Sequence, residues 1–213
     1  MSSRSGSAIN EAIVDALRPS IALLSAAHGY RDSFTVEHQD RVAALSVAIG
    51  IRLGLGDLQL EILRLAAIVH DIGKIAIPSE ILSKPGALSD PEYALIKQHC
   101  VIGFNILGNL KSPMSIAEIA YQHHERIDGS GYPRGLRGVE VIPEARILAV
   151  ADVFDAMTSN RAYRPGLPRD FVLGEMHAMS GRTLDADAVE ACRQIALTES
   201  PAGADAAAEF HAA

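Results

Sequence analysis

Apolar residues recur at helical spacing along almost the whole chain of 213 residues, whereas runs that alternate between apolar and polar residues are scarce. A repeat near 3.6 residues indicates amphipathic helices, and a repeat of two indicates half-buried strands. The pattern therefore predicts an all-α fold. We expect eight helices, separated by turns rich in glycine and proline. They cover about 8–27, 35–53, 57–70, 89–108, 114–124, 143–158, 168–179 and 185–197.

The size of the chain limits the number of domains. Its length and its 48% hydrophobic content suffice for one good core but hardly for two large ones. We predict a single-domain bundle of about seven to eight helices over residues 31–197. Residues 1–30 are expected to form an N-terminal helix or connector, kinked or divided at Pro19. Residues 198–213 are expected to be a disordered or frayed tail.

The charge and the apolar pattern exclude several classes of partner. The net charge of −7 argues against binding of long nucleic acid, which needs a broad basic surface. A small anionic ligand remains compatible, since a few basic side chains or a bound metal supply local positive charge. We expect no membrane span and no signal peptide, and therefore a cytoplasmic protein. Cys100 and Cys192 lack CxxC spacing, and we expect both to be packing residues.

Polar residues stand out at two places in apolar segments. His70 and Asp71 follow a run of apolar residues in LRLAAIVHDIGK, where a buried helix meets a glycine. Asp152 lies inside the apolar run ILAVADVFDAM. Burying such groups is costly unless partners compensate, and a metal ion is one such partner.

Four more histidines lie on predicted helices or near their ends, namely His38, His99, His123 and His124. One histidine on an apolar face is more often a hydrogen-bonded core residue than a ligand. Five histidines and two aspartates on separate helices, however, could converge between the helices of a bundle. Seven ligands are too many for one tetrahedral ion. They suit two ions that share a carboxylate, an arrangement that can hydrolyse a phosphodiester.

The adjacent pair His123 and His124 poses a geometric problem. Neighbours on a regular helix point about 100° apart, so one flat helix face cannot present both rings in the same direction. We expect the helix to end at this pair, so that a distorted last turn lets both imidazoles reach one ion. The glycines of DGSGYPRG, which follows, would let the backbone turn sharply beside the site.

Two motifs, HDIGK at 70–74 and HHERIDGSGYP at 123–133, are similar to those of the HD-GYP family, a bacterial subgroup of the HD superfamily of metal-dependent phosphohydrolases. The HD dipeptide alone is a weak motif, but both motifs in this order, with His99 between them, are specific. The resemblance runs from about Arg31 to Ile195. It implies an HD-domain fold with an inter-helical metal centre. It also implies hydrolysis of the second messenger cyclic di-GMP to linear pGpG, GMP or both.

The resemblance further implies two divalent transition-metal ions, with Fe or Mn preferred and Zn, Ni or Mg as alternatives. One ion would be held by His38, His70, Asp71 and Asp152, and the other by His99, His123, His124 and the shared Asp71. A water or hydroxide between the ions would be the nucleophile. Some family members carry a glutamate four residues before the first histidine that helps to hold a third ion. Phe34 stands at that position here, so we predict two ions.

The family pattern also assigns catalytic and substrate roles. Lys74 is expected to neutralise the scissile phosphate, and Asp155, one turn after Asp152, to orient a ligand or water. Tyr132 would face the substrate, and two arginines would hold its phosphates or guanines. The implied catalytic residues are Asp71, Lys74 and Asp155, and the implied substrate contacts are Lys74, Tyr132, Arg161 and Arg164.

Three functions stay open. The first is an active cyclic di-GMP phosphodiesterase. The second is a hydrolase of another cyclic dinucleotide or nucleotide, because Asn160 and Ala162 depart from the SDRPYR pattern of many family members. The third is a catalytically silent cyclic di-GMP-binding or docking module. A homodimer or a regulatory protein partner, bound through the loop DGSGYPRG at 128–135 (the GYP loop), is compatible with each of them.

Overall fold

The computed structural model describes residues 2–30, 33–160 and 165–198, with side chains except at positions 2–9, 11 and 33–35. Within these ranges the chain forms nine α-helices and two 3₁₀ turns, which confirms the predicted all-α class. The helices are α1 Ser2–Gly29, α2 Ser33–Arg52, α3 Asp57–Val69, α4 Ser79–Leu82, α5 Asp90–Leu107, α6 Ile116–Gln122, α7 Pro143–Thr158, α8 Arg169–Met179 and α9 Ala186–Thr198. The 3₁₀ turns are Ile72–Ala76 and Gly138–Glu140. None of the described helices is long and apolar enough to cross a membrane.

The predicted helices agree closely with the structure. Each of the eight is present with its ends shifted by at most about two residues, except that α1 begins at Ser2 rather than near residue 8. The single turn of α4 was not predicted, since one turn is too short to show a helical repeat. Of the two alternatives predicted at Pro19, a division of the first helix is wrong, because α1 continues through Pro19, and a kink stays a prediction.

Two helices, α3 and α7, lie at the centre of the core. Both α3 and α7 are buried on almost every side, with Ile62, Leu63, Leu65, Ile147 and Leu148 each at most 2% exposed. Helices that are apolar all round belong in the middle of a bundle, and each such side chain contributes about 1.5–3 kcal/mol by leaving water. Because His70 directly follows α3 and Asp152 lies on α7, the centre of the bundle also holds polar groups.

The first helix packs on this core. Val14, Leu17 and Ile21 of α1 belong to the buried apolar cluster. His28, also on α1, is buried, and the side-chain amide Nε2 of Gln39 on α2 lies 3.0 Å from its Nδ1. The division of the chain near residues 30 and 197 stays a prediction, and positions 199–213 lie outside the described residues.

A close backbone contact joins the turn after α3 to α5. A Cβ atom at Gly73 would lie 1.9 Å from the carbonyl oxygen of His99 and 2.6 Å from the backbone nitrogen of Gly103. No side chain fits between the two backbones, so glycine is required here. The contact holds Asp71, two residues earlier, directly against the face of α5 that carries His99.

Candidate metal centre

All seven side chains predicted as metal ligands lie together in the middle of the bundle. They form two groups, in each of which one nitrogen or oxygen per residue lies within 4.8 Å of the others. The His38 group consists of His38, His70 and Asp152, and the Asp71 group consists of Asp71, His99, His123 and His124. Both adjacent histidines therefore enter the same group. The helix before them ends at Gln122, and their ring centroids are 3.9 Å apart.

Asp71 lies between the two groups. Its Oδ1 is 3.4 Å from Nε2 of His99 and 3.9 Å from Nε2 of His123. Its Oδ2 faces the other group, 3.5 Å from Nε2 of His70. One carboxylate oxygen thus points at each group, which is the geometry of a bridging ligand.

Three of the histidines are oriented by the same local hydrogen bond. Nδ1 of His70, His99 and His123 each lies 2.6 Å from a carbonyl oxygen three residues earlier in the chain. The acceptors belong to Ala67, Ile96 and Ala120, respectively. A carbonyl oxygen only accepts, so Nδ1 carries the proton and the lone pair of Nε2 is free to bind a metal.

Two buried atoms test whether the site fits a metal. Nε2 of His70 and Oδ1 of Asp71 have no hydrogen-bond partner in the part of the chain that the structure describes. An unsatisfied buried polar atom costs about 1–3 kcal/mol. An imidazole lone pair and a carboxylate oxygen, aimed at a common space, are donors that a divalent ion accepts. The residues present therefore fit such an ion.

The charge states of the Asp71 group suit metal binding. Burial lowers the pKa of His124 to about 3, and burial together with neighbouring imidazoles holds the pKa of His123 well below its usual range. Both rings are therefore neutral at pH 7, as a ligand must be. Burial acts to raise the pKa of Asp71, but Lys74 and the neighbouring imidazoles hold it well below its usual value. Asp71 is thus a carboxylate.

His38 differs from the other histidines. Burial acts to lower its pKa, but hydrogen bonds with Asp152 and Asp155 raise the pKa to about 9. Its Nε2 lies 3.3 Å from Oδ1 of Asp152. Without metal, His38 therefore carries a proton at neutral pH. An ion entering the His38 group must displace that proton, so binding there releases it.

An arginine that the sequence analysis missed completes the surroundings of His38. Oδ2 of Asp155 is 2.6 Å from Nδ1 of His38. Arg41 donates from Nε to Oδ1 of Asp155 at 2.6 Å and from Nη2 to Oδ2 at 3.1 Å. This fork holds the carboxylate, which in turn holds the imidazole. The only feature of the sequence that indicates this role is that Arg41 follows His38 by three residues, on the same face of α2.

We expect Arg41→Ala to weaken metal binding at the His38 group by about tenfold, because the carboxylate that orients His38 loses its own support. Titration with a competing chelator measures this affinity. Arg41→Lys should restore part of it. Arg52→Ala, at the end of the same helix, where the side chain contacts Gln194, should leave it unchanged. Equal affinities for Arg41→Ala and the wild type would contradict the assignment.

The GYP loop folds back onto the end of α6. The ring of Tyr132 lies 4.8 Å from that of His124, with 33° between the ring planes. Buried Glu125, which was also missed, accepts hydrogen bonds from the backbone N–H groups of Arg134 at 2.7 Å and Leu136 at 3.0 Å. A Cβ atom at Gly131 would lie only 2.4 Å from a backbone nitrogen. These contacts hold Tyr132 beside the metal ligands.

The remaining predicted residues are placed as follows. Nζ of Lys74 donates to Oδ2 of Asp71 at 2.5 Å, so its ammonium group lies at the edge of the site. Arg161 and Arg164 lie outside the described residues, as does the side chain of Phe34. Their predicted roles stay predictions, as does the number of ions.

Cys100 lies closer to the site than its sequence context indicated. Its Sγ is 3.4 Å from Nε2 of His99. Burial raises the pKa of this thiol, so it stays protonated at neutral pH and is a poor metal ligand. Cys100 and Cys192 are both buried and not disulfide-bonded.

Comparisons with known proteins agree with this geometry. A model of the HD domain family matches residues 25–188. A cyclic di-GMP phosphodiesterase of Thermotoga maritima is 44% identical over 173 residues, covering 80% of this chain and 47% of that protein. RpfG of Xanthomonas campestris pv. campestris, a cyclic di-GMP phosphodiesterase response regulator, is 42% identical over 176 residues, covering 82% of this chain and 47% of that protein. The chain thus spans about half the length of these curated relatives.

A solved structure has a similar fold. The crystal structure of a cyclic GMP-AMP-specific phosphodiesterase of V. cholerae matches with a TM-score of 0.55 at 29% identity, covering 85% of this chain and 41% of that one. The cluster of histidines and aspartates is a site for divalent metal ions. The family match, the relatives and the site together lead to one conclusion: the chain belongs to the HD domain family and, within it, to the HD-GYP proteins.

Proposed function

We propose that this chain is a metal-dependent phosphodiesterase that hydrolyses cyclic di-GMP to linear pGpG, GMP or both. The observation that carries the proposal is the position of Asp71, with one oxygen toward each of two histidine-containing groups. The relatives from T. maritima and X. campestris, which are cyclic di-GMP phosphodiesterases, support this choice of substrate.

We propose two divalent ions, one for the His38 group and one for the Asp71 group. Fe or Mn is preferred, and Zn, Ni or Mg are alternatives. Imidazole and carboxylate ligands without a thiolate suit these metals. When bound, such ions would lower the pKa of a coordinated water and neutralise charge on the phosphoryl oxygens. No side chain is therefore needed as the nucleophile. The residues of the chain would act by holding the ions and orienting the substrate.

Several residues of the chain have proposed roles around the phosphate. Lys74, partly exposed beside Asp71, is proposed to donate to a phosphoryl oxygen as a point charge. Asp155 fixes the direction of the His38 ring. Tyr132 forms one wall of the site beside His124. Arg161 and Arg164 are proposed to hold the phosphates or guanines farther out.

The decisive experiment is anaerobic purification with metal quantification, followed by chromatography of the products formed from cyclic di-GMP. We expect close to two ions per chain and formation of pGpG or GMP. A chelator-treated sample should be inactive, and activity should return when Fe²⁺ or Mn²⁺ is added. Full activity of the stripped protein would overturn the proposal.

A second candidate is hydrolysis of a mixed cyclic dinucleotide. The V. cholerae structure, 29% identical to this chain, is of a cyclic GMP-AMP-specific enzyme. Cyclic di-GMP and 3′3′-cyclic GMP-AMP in one competition assay separate the two candidates, because the true substrate has the higher kcat/KM. Tight binding of cyclic di-GMP by the metal-loaded protein without turnover would instead favour a silent binding module.

We also propose a cytoplasmic location, where cyclic dinucleotides are available as substrates, and a homodimer or regulatory protein as partner. The GYP loop is the proposed contact surface. Val139, four residues after this loop, is 91% exposed, although it is apolar. A Val139→Ser variant that loses self-association or partner binding, measured by sedimentation, would support this surface.

A further inference from the structure

A lysine and two tyrosines form a wall beside the Asp71 group. Tyr93 and Lys97 lie one turn apart on α5, and Nζ of Lys97 is 4.6 Å from the centroid of the Tyr93 ring. The same Nζ is 5.6 Å from the centroid of Tyr132, on the GYP loop. Because the Tyr132 ring stacks beside His124, the ammonium group lies one ring away from a proposed metal ligand.

Lys97 has no carboxylate partner within ion-pair distance among the described residues, unlike Lys84 and Lys74. Lys84 forms an ion pair with Glu92 at 2.7 Å, and Lys74 contacts Asp71 at 2.5 Å. Lys97 instead rests against two aromatic rings, which attract a cation but leave its three N–H donors free to bind another group. A positive charge is thus held at the edge of the site without a carboxylate from the described part of the chain.

The surrounding tyrosines restrict where this charge can point. The rings of Tyr93 and Tyr132 are 6.4 Å apart and nearly perpendicular, and Tyr132 lies 6.4 Å from the ring of His99. Tyr93 is 45% exposed, so the wall opens to solvent. A molecule that binds at the metal groups and extends along this wall would reach Lys97.

We propose that Lys97 binds the second phosphate of a cyclic dinucleotide while the first lies at the metal groups. This inference rests on the proposed function and names a residue that determines its substrate class. The phosphates are the only anionic groups of such a molecule, and a lysine binds phosphate as a point charge. A diester with a single phosphate would gain nothing from Lys97.

Two substrates of different size test the proposal. Cyclic di-GMP carries two phosphates, whereas bis(4-nitrophenyl) phosphate carries one and can occupy only the metal groups. With metal-loaded protein, Lys97→Ala is expected to raise KM for cyclic di-GMP about tenfold, because one charge-assisted hydrogen bond is lost. The kcat is expected to change less than about twofold. Hydrolysis of bis(4-nitrophenyl) phosphate should stay at the wild-type rate.

Matched variants separate the effect of the Lys97 charge from the effect of side-chain packing. Lys97→Arg keeps the charge and should keep KM within about threefold of the wild type. Tyr93→Leu removes the aromatic face that holds the ammonium group and should raise KM for cyclic di-GMP. Lys111→Ala removes an exposed lysine beyond the far end of α5 and should change neither substrate's KM.

The outcomes distinguish this inference from the proposed function. The role of Lys97 is wrong, and the proposed function stands, in two cases in which the wild type cleaves cyclic di-GMP. In the first, Lys97→Ala has the wild-type KM; in the second, it loses activity on both substrates equally. If metal-loaded wild type cleaves only bis(4-nitrophenyl) phosphate, the proposed function is wrong and the inference fails with it. A KM rise that differs more than about threefold between cyclic di-GMP and 3′3′-cyclic GMP-AMP would indicate base contact and overturn the phosphate assignment.

Discussion

Asp71→Asn is expected to lower kcat/KM for cyclic di-GMP by about a thousandfold or more, even with excess metal. An asparagine has nearly the same shape but offers one oxygen and an NH₂ donor. It cannot direct a negatively charged oxygen at each group, as Oδ1 does toward His99 and Oδ2 toward His70. Product chromatography and metal quantification measure the two consequences, loss of turnover and loss of bound metal.

The fold should survive this change. A neutral amide is less costly to bury than an unpaired charge, and Lys74, which contacts Asp71, is partly exposed and can turn toward water. Far-UV circular dichroism is therefore expected to match the wild type. Asp187→Asn, which changes an exposed carboxylate in the first turn of α9, is the matched control and should keep both metal and turnover. Wild-type turnover by the Asp71→Asn protein would contradict the bridging role.

His124→Ala is the second substitution with a large expected effect. The Asp71 group loses one of its four ligands, so the metal content should fall from close to two ions per chain to close to one. Turnover should fall by at least about a hundredfold, because one metal of the proposed pair is missing. Tyr132, whose ring lies 4.8 Å from that of His124, also loses the neighbour that positions it.

The helical fold should again persist. His124 lies beyond the end of α6 at Gln122, so its removal interrupts no helical hydrogen bond. His177→Ala changes an exposed histidine on α8 and should retain both ions and full turnover. Retention of two tightly bound ions by His124→Ala would show that the adjacent histidines do not share one ion, contrary to the prediction made from their sequence.

Much of the fold and the ligand set could be predicted from the sequence, because both have local signals. The 3.6-residue repeat marks the helices, and polar residues at the ends of apolar runs mark His70, Asp71 and Asp152. The structure brings together the residues that were expected to bind metal. The boundaries failed in the single turn of α4, which is too short to show a repeat, and at Pro19, where the proline favoured a kink or a division but α1 continues.

The sequence by itself determined that this protein is helical, which residue types surround its centre and in what order they occur. Only the tertiary structure decided which partner each side chain meets. The fork from Arg41 to Asp155 joins α2 to α7, the backbone contact at Gly73 joins the turn after α3 to α5, and Lys97 reaches a tyrosine of the GYP loop. Hydrophobic periodicity reports only which face of a helix is buried. Contacts between residues far apart in the chain depend on how the helices pack, and that information is absent from any local pattern.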